Sequence, residues 1–174
     1  PEIAFDEHNT ARYIAELLRG WGYQVTEGIA KTGLVATLSV GDGKKSIGLR
    51  ADTDALAVQE MIDSDHKSTI EGKSHTCGHD GHSAMLLGAA QHLARTRAFN
   101  GTVNLIFQPA EEIMGGAVAM IKEGLFERFP MDAVFGMHNW PGTEVGKFAV
   151  SPGPVMASSN EFRITIRGKG AHAA

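Results

Sequence analysis

Three apolar segments of strand length are each followed by ionisable side chains. The segments span residues 46–51, 102–107 and 132–137. Asp52, the pair Glu111-Glu112 and His138 come shortly beyond their ends. Helix-like segments separate the strands, and this alternation predicts an α/β fold with a mostly parallel sheet flanked by helices. Because ligands bind outside the carboxyl ends of the strands in open α/β sheets, we expect the ionisable groups to meet at one edge.

Residues 75–82, with the sequence His-Thr-Cys-Gly-His-Asp-Gly-His, hold three histidines, an aspartate and the only cysteine of the chain. Thiolate and imidazole are ligands of Zn²⁺ and of the neighbouring transition metals. A lone cysteine is most often a small buried hydrophobic residue, but its place in this cluster favours a metal site. Cys77 can bridge two metals because thiolate sulfur has lone pairs to share, and His79 can complete one of them.

The remaining groups are expected to reach this site from the strand ends. Glu112 and His138 are candidate metal ligands, and Glu111 can act as general base on the attacking water. The alternatives are a solvated acidic loop for the two glutamates and a satisfied core histidine for His138. Asp52 is expected to fix a ligand imidazole, but Asp80 can serve in the same way, and the residues leave this choice open.

Other ionisable residues near the motif have weaker predicted roles. Asp52 and Asp54 could each be an ordinary turn residue instead of part of the site, and His75 and His82 are interpreted as bystanders or as outer contacts of the ligands. Periodicity also predicts helices at residues 6–20, 83–95 and 117–123, with Ser83 as an N-cap, a strand at residues 33–40 and a loop at 59–74.

The character of the chain changes near Ser158. Residues 160–167 alternate apolar and polar side chains, which predicts a half-buried strand, whereas the upstream strands are apolar on both faces. We expect a catalytic domain over residues 1–157 and the first strand of a smaller domain over 158–174. Because 17 residues cannot hold a core, we expect the chain to be part of a longer protein.

Composition excludes several classes of protein. A hydrophobic content of 43% and a net charge of −4 are typical of a mildly acidic globular protein, so we expect neither nucleic acid nor membrane as a partner. No apolar segment approaches the ~20 residues that a membrane-spanning helix needs. The first residues do not resemble a secretory signal, and a cytoplasmic location is the default expectation.

Five motifs together resemble the amidohydrolase branch of the aminoacylase and carboxypeptidase superfamily. This branch includes hippurate hydrolases, N-acyl-amino-acid amidohydrolases and plant auxin-conjugate hydrolases. The motifs occur in the family's order at residues 49–56, 75–82, 108–112, 137–139 and 168–173. The sequence departs from the usual pattern, without loss of a ligand, at Thr53, Ala57, Ser74 and Thr76.

The resemblance implies a zinc-exopeptidase-like catalytic domain that hydrolyses the amide bond of N-acyl amino acids. It implies two divalent transition metal ions (Zn, Mn, Ni or Co), with Glu111 as the base. The implied ligands are Cys77 as the bridge, with His79, Glu112 and His138. It also implies a smaller α+β lid domain that forms a homodimer, and a substrate-binding role for His172. The family's last metal-ligand histidine lies farther downstream than Ala174.

Two other functions compete with this interpretation. A non-catalytic scaffold or inactive fragment could keep the fold, but such a protein has no physical need for five costly polar groups at one edge of a sheet. A structural zinc module is disfavoured because such sites usually use paired cysteines or a closed set of four ligands, and the chain has one cysteine.

Overall fold

The computed structural model describes residues 1–113, 115–158, 160 and 162–172, and the chain divides into two units, residues 1–139 and 140–174. Within the described residues, all helices and strands lie in the first unit. The helices are α1 (His8–Gly20), α2 (His79–Thr96), α3 (Gly116–Lys122) and α4 (Leu125–Arg128). The strands are β1 (Gln24–Ile29), β2 (Gly33–Val40), β3 (Ser46–Asp52), β4 (Gly101–Gln108) and β5 (Ala133–Gly136).

The five strands form one mixed sheet in the order β1-β2-β4-β3-β5. β3 pairs in parallel with β4 and with β5, whereas β2 is antiparallel to both β1 and β4. The predicted α/β fold is confirmed, and three of the predicted strands form its parallel part. The chain passes from β3 to β4 through α2, and this connection is long enough for the crossover that two parallel strands need. The carboxyl ends of β3, β4 and β5 consequently lie at one edge.

The antiparallel part of the sheet begins with a hairpin whose first strand, β1, was not predicted. Three residues connect β1 to β2, and the first two, Ala30 and Lys31, have φ angles of 51° and 69°. Two consecutive positive φ angles are typical of the tight turns that match the twist of a hairpin, and Asn-Gly is their usual sequence. Here the turn is instead held by a side chain, because the Ala30 N–H donates a hydrogen bond of 2.8 Å to Oε2 of Glu123.

Helices cover both faces of the sheet, and its central strands β2 and β4 are largely buried on two sides. On one face α1 and α2 pack against the side chains of β2 and β4; the core residues there include Ile14, Leu18, Leu34, Ala90, Leu105 and Phe107. On the opposite face α3 and α4 pack against Val35 and Ile106, through Met120 and Leu125. The alternation of Leu105, Ile106 and Phe107 between the two faces shows why an uninterrupted apolar run forms this central strand.

The hydroxyl of Tyr23 links the start of β1 to α2. Tyr23 is buried, and its Oη donates a hydrogen bond of 2.9 Å to the Ala90 carbonyl oxygen. Tyr23→Phe should lower the free energy of unfolding by about 1 kcal/mol, the usual net value of one such bond. Urea denaturation should detect this loss, with Tyr13→Phe as the control because Tyr13 is 62% exposed. Equal stability of the two variants would contradict the prediction.

One helix start differs from its prediction in a way that matters for the site. α2 begins at His79, after Gly78 at φ 89°, and not at Ser83. Ser83 is therefore not an N-cap; it lies inside the helix, where its hydroxyl donates a hydrogen bond of 3.0 Å to the Asp52 carbonyl oxygen. The earlier start places His79 and His82 on the first turn of α2, where both are buried.

The second unit has no helix or strand among its described residues. Short turns occur, with the Thr143 N–H donating to the Trp140 carbonyl oxygen and the Lys147 N–H to that of Glu144. The strand predicted at residues 160–167 is absent from the described positions, and Glu161 lies outside them. An alternating strand needs a neighbouring strand for its backbone hydrogen bonds, and the described residues supply none. The domain boundary at 157/158 stays a prediction.

No helix within the described ranges combines the length and the apolar character that crossing a membrane requires.

Candidate metal centre

His79 lies at the centre of the ionisable groups that gather at the edge of the sheet. Its side chain is completely buried, and its Nδ1 lies 3.3 Å from Oδ1 of Asp54. Its Nε2 points to three carboxylates, at 3.6 Å from Oδ2 of Asp52, 3.7 Å from Oε1 of Glu112 and 3.9 Å from Oε2 of Glu111. Each of these three distances is too long for a direct hydrogen bond.

Asp52, at the end of β3, connects this strand to α2. Its Oδ2 lies 2.8 Å from Nη1 of Arg50, and its Oδ1 accepts a hydrogen bond of 2.6 Å from Nδ1 of His82. The other ring nitrogen of His82, Nε2, lies 3.1 Å from the Asn139 backbone nitrogen. The Asn139 side chain also contacts this nitrogen. Through these contacts His82 links Asn139, the residue after His138, to Asp52 of β3.

Asp54 holds the segment that carries the two glutamates. Its Oδ1 accepts the backbone N–H of Glu111 and its Oδ2 accepts that of Glu112, both at 3.0 Å. The same carboxylate contacts Nδ1 of His79, so one buried side chain sets the position of three candidate site residues. The Glu111 side chain is 43% exposed, and the Glu112 side chain is 19% exposed. The two neighbours therefore differ in their access to solvent.

Cys77 and His138 approach the site from the loop before α2 and from the residues after β5. The Cys77 Sγ lies 3.6 Å from Nε2 of His138, and the rings of His79 and His138 meet edge to face with centroids 6.2 Å apart. One ligand atom each from Cys77, His79 and His138 lie within 4.8 Å of one another. The same holds for His79 with Glu111 and Glu112, and for Asp52 with His79 and His82.

The carboxylates dominate the electrostatics of this edge. Burial opposes ionisation of Asp52 and Asp54, but Arg50 and the His82 hydrogen bond lower the pKa of Asp52. The His79 ring and two backbone N–H groups likewise lower the pKa of Asp54. Burial would lower the pKa of His79, but Asp54, Asp52 and Glu112 raise it overall.

The pKa of the Cys77 thiol is raised to about 11. Burial is the largest cause, and the charge and hydrogen bonding of Glu112 come next. Excess negative charge thus favours a cation here, either protons or a metal ion.

The donors fit a transition metal in number, chemistry and spacing. Nε2 of His79 and Oε1 of Glu112 are buried, and neither has a hydrogen-bond partner among the described residues. Buried polar atoms without partners are costly, and a bound cation would satisfy both. With metal–ligand distances of about 2.1 Å, the ligand atoms around one tetrahedral ion lie about 3.4 Å apart. The distances of 3.6 and 3.7 Å quoted above are close to that separation.

The predicted site residues do not all come together. Cys77, His79, Glu111, Glu112, His138 and Asp52 meet at the edge of the sheet, as expected from the strand ends. Asp80 differs, because its side chain is exposed and accepts the Gly81 backbone N–H at 2.8 Å. Of the two aspartates, Asp52 lies beside the His79 and His82 rings, and its role toward a ligand imidazole stays a prediction. His172 lies in the second unit, and its role stays a prediction.

Asp54 and His82 contribute more to the site than the sequence indicated. The sequence allows Asp54 to be an ordinary turn residue, but it contacts His79 and both glutamates. The sequence feature that could have indicated this role is the position of Asp54, two residues after Asp52 and beyond the end of a buried strand. His82 was interpreted as an outer contact or a bystander, and its two ring nitrogens indeed contact Asp52 and Asn139.

His82→Ala should weaken metal binding by about 10- to 100-fold, the usual effect of removing an outer contact that orients the ligands. The variant loses the connection from Asp52 to Asn139, so His138 is held less firmly. Competition with a chromophoric chelator measures this affinity. His92→Ala is the matched control, since His92 is exposed on the same helix. Parent-like affinity of the His82 variant would contradict the prediction.

Known proteins are similar in sequence to most of this chain. The model of the peptidase family M20/M25/M40 matches residues 48–174. The chain is 51% identical over 172 residues to hippurate hydrolase of Campylobacter jejuni, covering 99% of the chain and 45% of that protein. It is 41% identical over 175 residues to N-acetylcysteine deacetylase of Bacillus subtilis, covering 99% of the chain and 46% of that protein. The chain thus spans less than half the length of these relatives.

The fold is similar to that of a solved structure with related sequence. The YXEP protein of Bacillus subtilis, a dinuclear metal-binding peptidase from the M20 family, matches with a TM-score of 0.77 and 38% identity. The match covers 82% of this chain and 40% of that one. A putative aminohydrolase from Staphylococcus aureus matches with a TM-score of 0.74 and 39% identity, covering 79% of this chain and 37% of that one.

Proposed function

The chain belongs to the peptidase family M20/M25/M40, and on this premise we propose that it carries most of the metal centre of a dinuclear amidohydrolase. The whole enzyme would hydrolyse the amide bond of N-acyl amino acids such as hippurate. The 51% identity to a hippurate hydrolase supports this substrate class. The similarity to an N-acetylcysteine deacetylase supports the same type of bond.

One observation carries the proposal. The buried Nε2 of His79 and Oε1 of Glu112 lie 3.7 Å apart, and neither atom has a hydrogen-bond partner in the described part of the chain. A hydrolase without a metal would gain nothing from two buried, unsatisfied polar atoms that face each other. A divalent cation between them would satisfy both and would offset the negative charge of the surrounding carboxylates.

The proposed ligands divide between two ions. Cys77 would bridge them, and His79, Glu112 and His138 would complete the part of the coordination that this chain supplies. Asp52 would stabilise the arrangement through His82 and through its position near His79. The mixed donor set suits Zn²⁺, Mn²⁺, Ni²⁺ or Co²⁺, and the thiolate favours the softer of these ions.

Glu111 is the proposed general base. When bound, the two ions would polarise the scissile carbonyl and lower the pKa of the attacking water to ~7. Glu111 would take the proton of that water and return it to the leaving amine nitrogen. Its side chain is more exposed than that of Glu112, which supports a role in contact with substrate. Asp54 would hold both glutamates in register through their backbone N–H groups.

The second unit is proposed to contribute to the whole protein in two ways. His172 would bind the substrate, as the resemblance of residues 168–173 to a family motif implies. The region from residue 158 onward would begin a lid domain through which the whole protein forms a homodimer.

Metal affinity should rise with pH. The pKa of Cys77 is raised to about 11, so its thiol holds a proton near neutral pH that a metal must displace. The pKa of His79 is raised from its ordinary value, which strengthens the competition of protons with a metal for the imidazole. Affinity should therefore increase from pH 6 to pH 8, by about tenfold per pH unit for each proton released. Calorimetric titrations in buffers of different ionisation enthalpy count these protons. Affinity that is independent of pH would contradict the thiol and imidazole as ligands.

Hydrolysis of hippurate and N-acetyl amino acids by the full-length protein tests the proposed function. The activity should disappear when a chelator removes the metal, and Zn²⁺, Mn²⁺, Ni²⁺ or Co²⁺ should restore it. Activity that persists after verified removal of metal would contradict the proposal. So would a protein that binds two ions yet cleaves none of these substrates.

A further inference from the structure

We propose that Glu7, at the start of α1, is a positioning residue for the metal centre, because its buried carboxylate holds the turn that precedes Glu111 and Glu112. This inference rests on the proposed function of those two glutamates. Glu7 lies 103 positions before Ala110 in the sequence, and its carboxylate accepts hydrogen bonds from Ala110 and Thr32. Its effect on the site would be transmitted through the backbone of residue 110.

The carboxylate of Glu7 is directed away from its own helix. Glu7 occupies the N-cap of α1, but it makes no side-chain capping bond with that helix. The residue is instead completely buried, and its Oε1 accepts the Ala110 backbone N–H at 2.9 Å. Its Oε2 accepts the hydroxyl of Thr32, which is also buried. Both oxygens are thus used in tertiary contacts, one with the residue before β2 and the other with the turn after β4.

The turn at Ala110 is unusual, and external contacts hold it. Ala110 is fully buried and has a φ of 51°, a conformation that residues with a Cβ rarely adopt. Its carbonyl oxygen accepts the backbone N–H groups of Gly115 and Gly116. This conformation directs the chain from the end of β4 into the site, so that the next two residues reach Asp54.

Three consecutive backbone N–H groups therefore donate to two buried carboxylates. The N–H of Ala110 donates to Glu7, and those of Glu111 and Glu112 donate to Asp54. Asp54 also contacts His79, whereas Glu7 acts on the backbone alone. If Glu7 is removed, Ala110 loses its acceptor and can relax to negative φ, which would rotate both glutamates away from His79.

The test compares four variants of the full-length protein by metal affinity, kcat and KM. Glu7→Ala removes both acceptors, and Glu7→Gln retains an acceptor for Ala110 while its amide can donate to Thr32. Glu7→Asp keeps the charge on a shorter side chain, and it serves the same comparison if the alanine variant fails to fold. Glu2→Ala is the control, since the Glu2 carboxylate accepts the N–H groups of Asn9 and Thr10 and so stabilises α1 only.

Glu7→Ala should weaken metal binding and lower kcat by about 10- to 100-fold each, with KM little changed. Glu7→Gln should remain within about threefold of the parent protein because the backbone contact survives. Glu2→Ala should lose thermal stability but keep metal affinity and kcat.

Folded Glu7→Ala or Glu7→Asp protein with parent-like metal affinity and kcat would overturn the inference and make Glu7 a residue of stability alone. An equal loss in the Glu2 control would overturn it too. A parent protein that binds metal but cleaves no N-acyl amino acid contradicts the proposed function, while the affinity comparison still decides the role of Glu7. A parent protein that binds no metal contradicts both.

Discussion

Glu111→Ala should lower the turnover of the full-length enzyme by ~10²–10⁴-fold, the usual contribution of a general base. Metal content should stay near that of the parent, since Glu111 is proposed to act on the water rather than to bind metal. The backbone N–H of residue 111 can still donate to Asp54, so the neighbouring Glu112 keeps its position. Steady-state kinetics and elemental analysis of the same preparation measure the two quantities.

The control is Glu127→Ala, which removes an exposed glutamate from α4. It should leave turnover unchanged. An equal loss of metal and of turnover in the Glu111 variant would instead make this residue a metal ligand. The pair would then have exchanged roles, with the more buried Glu112 as the remaining candidate for the base.

His79→Gln should weaken metal binding by more than about 100-fold, because loss of an outer contact alone costs about 10- to 100-fold. His79 is the one residue that belongs to all three groups of potential ligands found among the described residues. Glutamine fills much of the same space and leaves a polar atom near Asp54, so the variant separates loss of a ligand from loss of packing. Chelator competition gives the affinity.

His92→Gln makes the same chemical change on the exposed side of the same helix, and it should bind metal like the parent. Far-ultraviolet circular dichroism should show that the His79 variant is folded at the temperature of the titration. If folded His79→Gln bound metal as tightly as the parent, the site would have to lie elsewhere.

The strand ends were the part of the molecule that the sequence predicted best. The apolar segments before Asp52, before Glu111 and before His138 form β3, β4 and β5, and their carboxyl ends share one edge of the sheet. The central part of β4 can be recognised in sequence because burial on both faces favours an unbroken apolar run, here Leu105, Ile106 and Phe107. The same reasoning placed Cys77 and His79 beside them, since the chain must cross from β3 to β4 at that edge.

The errors have local physical causes. β1 was not predicted because its hairpin turn uses Ala30 and Lys31, and the tertiary contact from Glu123 compensates for the missing turn residues. The sequence places the start of α2 at Ser83 because serine is a common N-cap residue. In the structure the backbone changes direction at Gly78, and the helix begins at His79. Positions such as these depend on partners that are distant in sequence, and periodicity carries no information about them.

The buried carboxylates were the least predictable part of the site. Asp54 and Glu7 each accept backbone N–H groups from residues 110–112, more than 50 positions away in sequence. A glutamate at the start of a helix is usually expected to be exposed to solvent and to interact favourably with the helix dipole. Only the fold shows that this one is buried beside the turn at Ala110.

Metal content per chain tests the central claim most directly. We would measure it by elemental mass spectrometry on the purified, reconstituted protein, with Cys77→Ser prepared in parallel. A dinuclear centre predicts between one and two equivalents of a transition metal in the parent chain and a clear loss in the variant, because the bridging thiolate is gone. A folded parent chain that retains no metal after reconstitution, or a variant that retains as much as the parent, would contradict a metal centre built around Cys77.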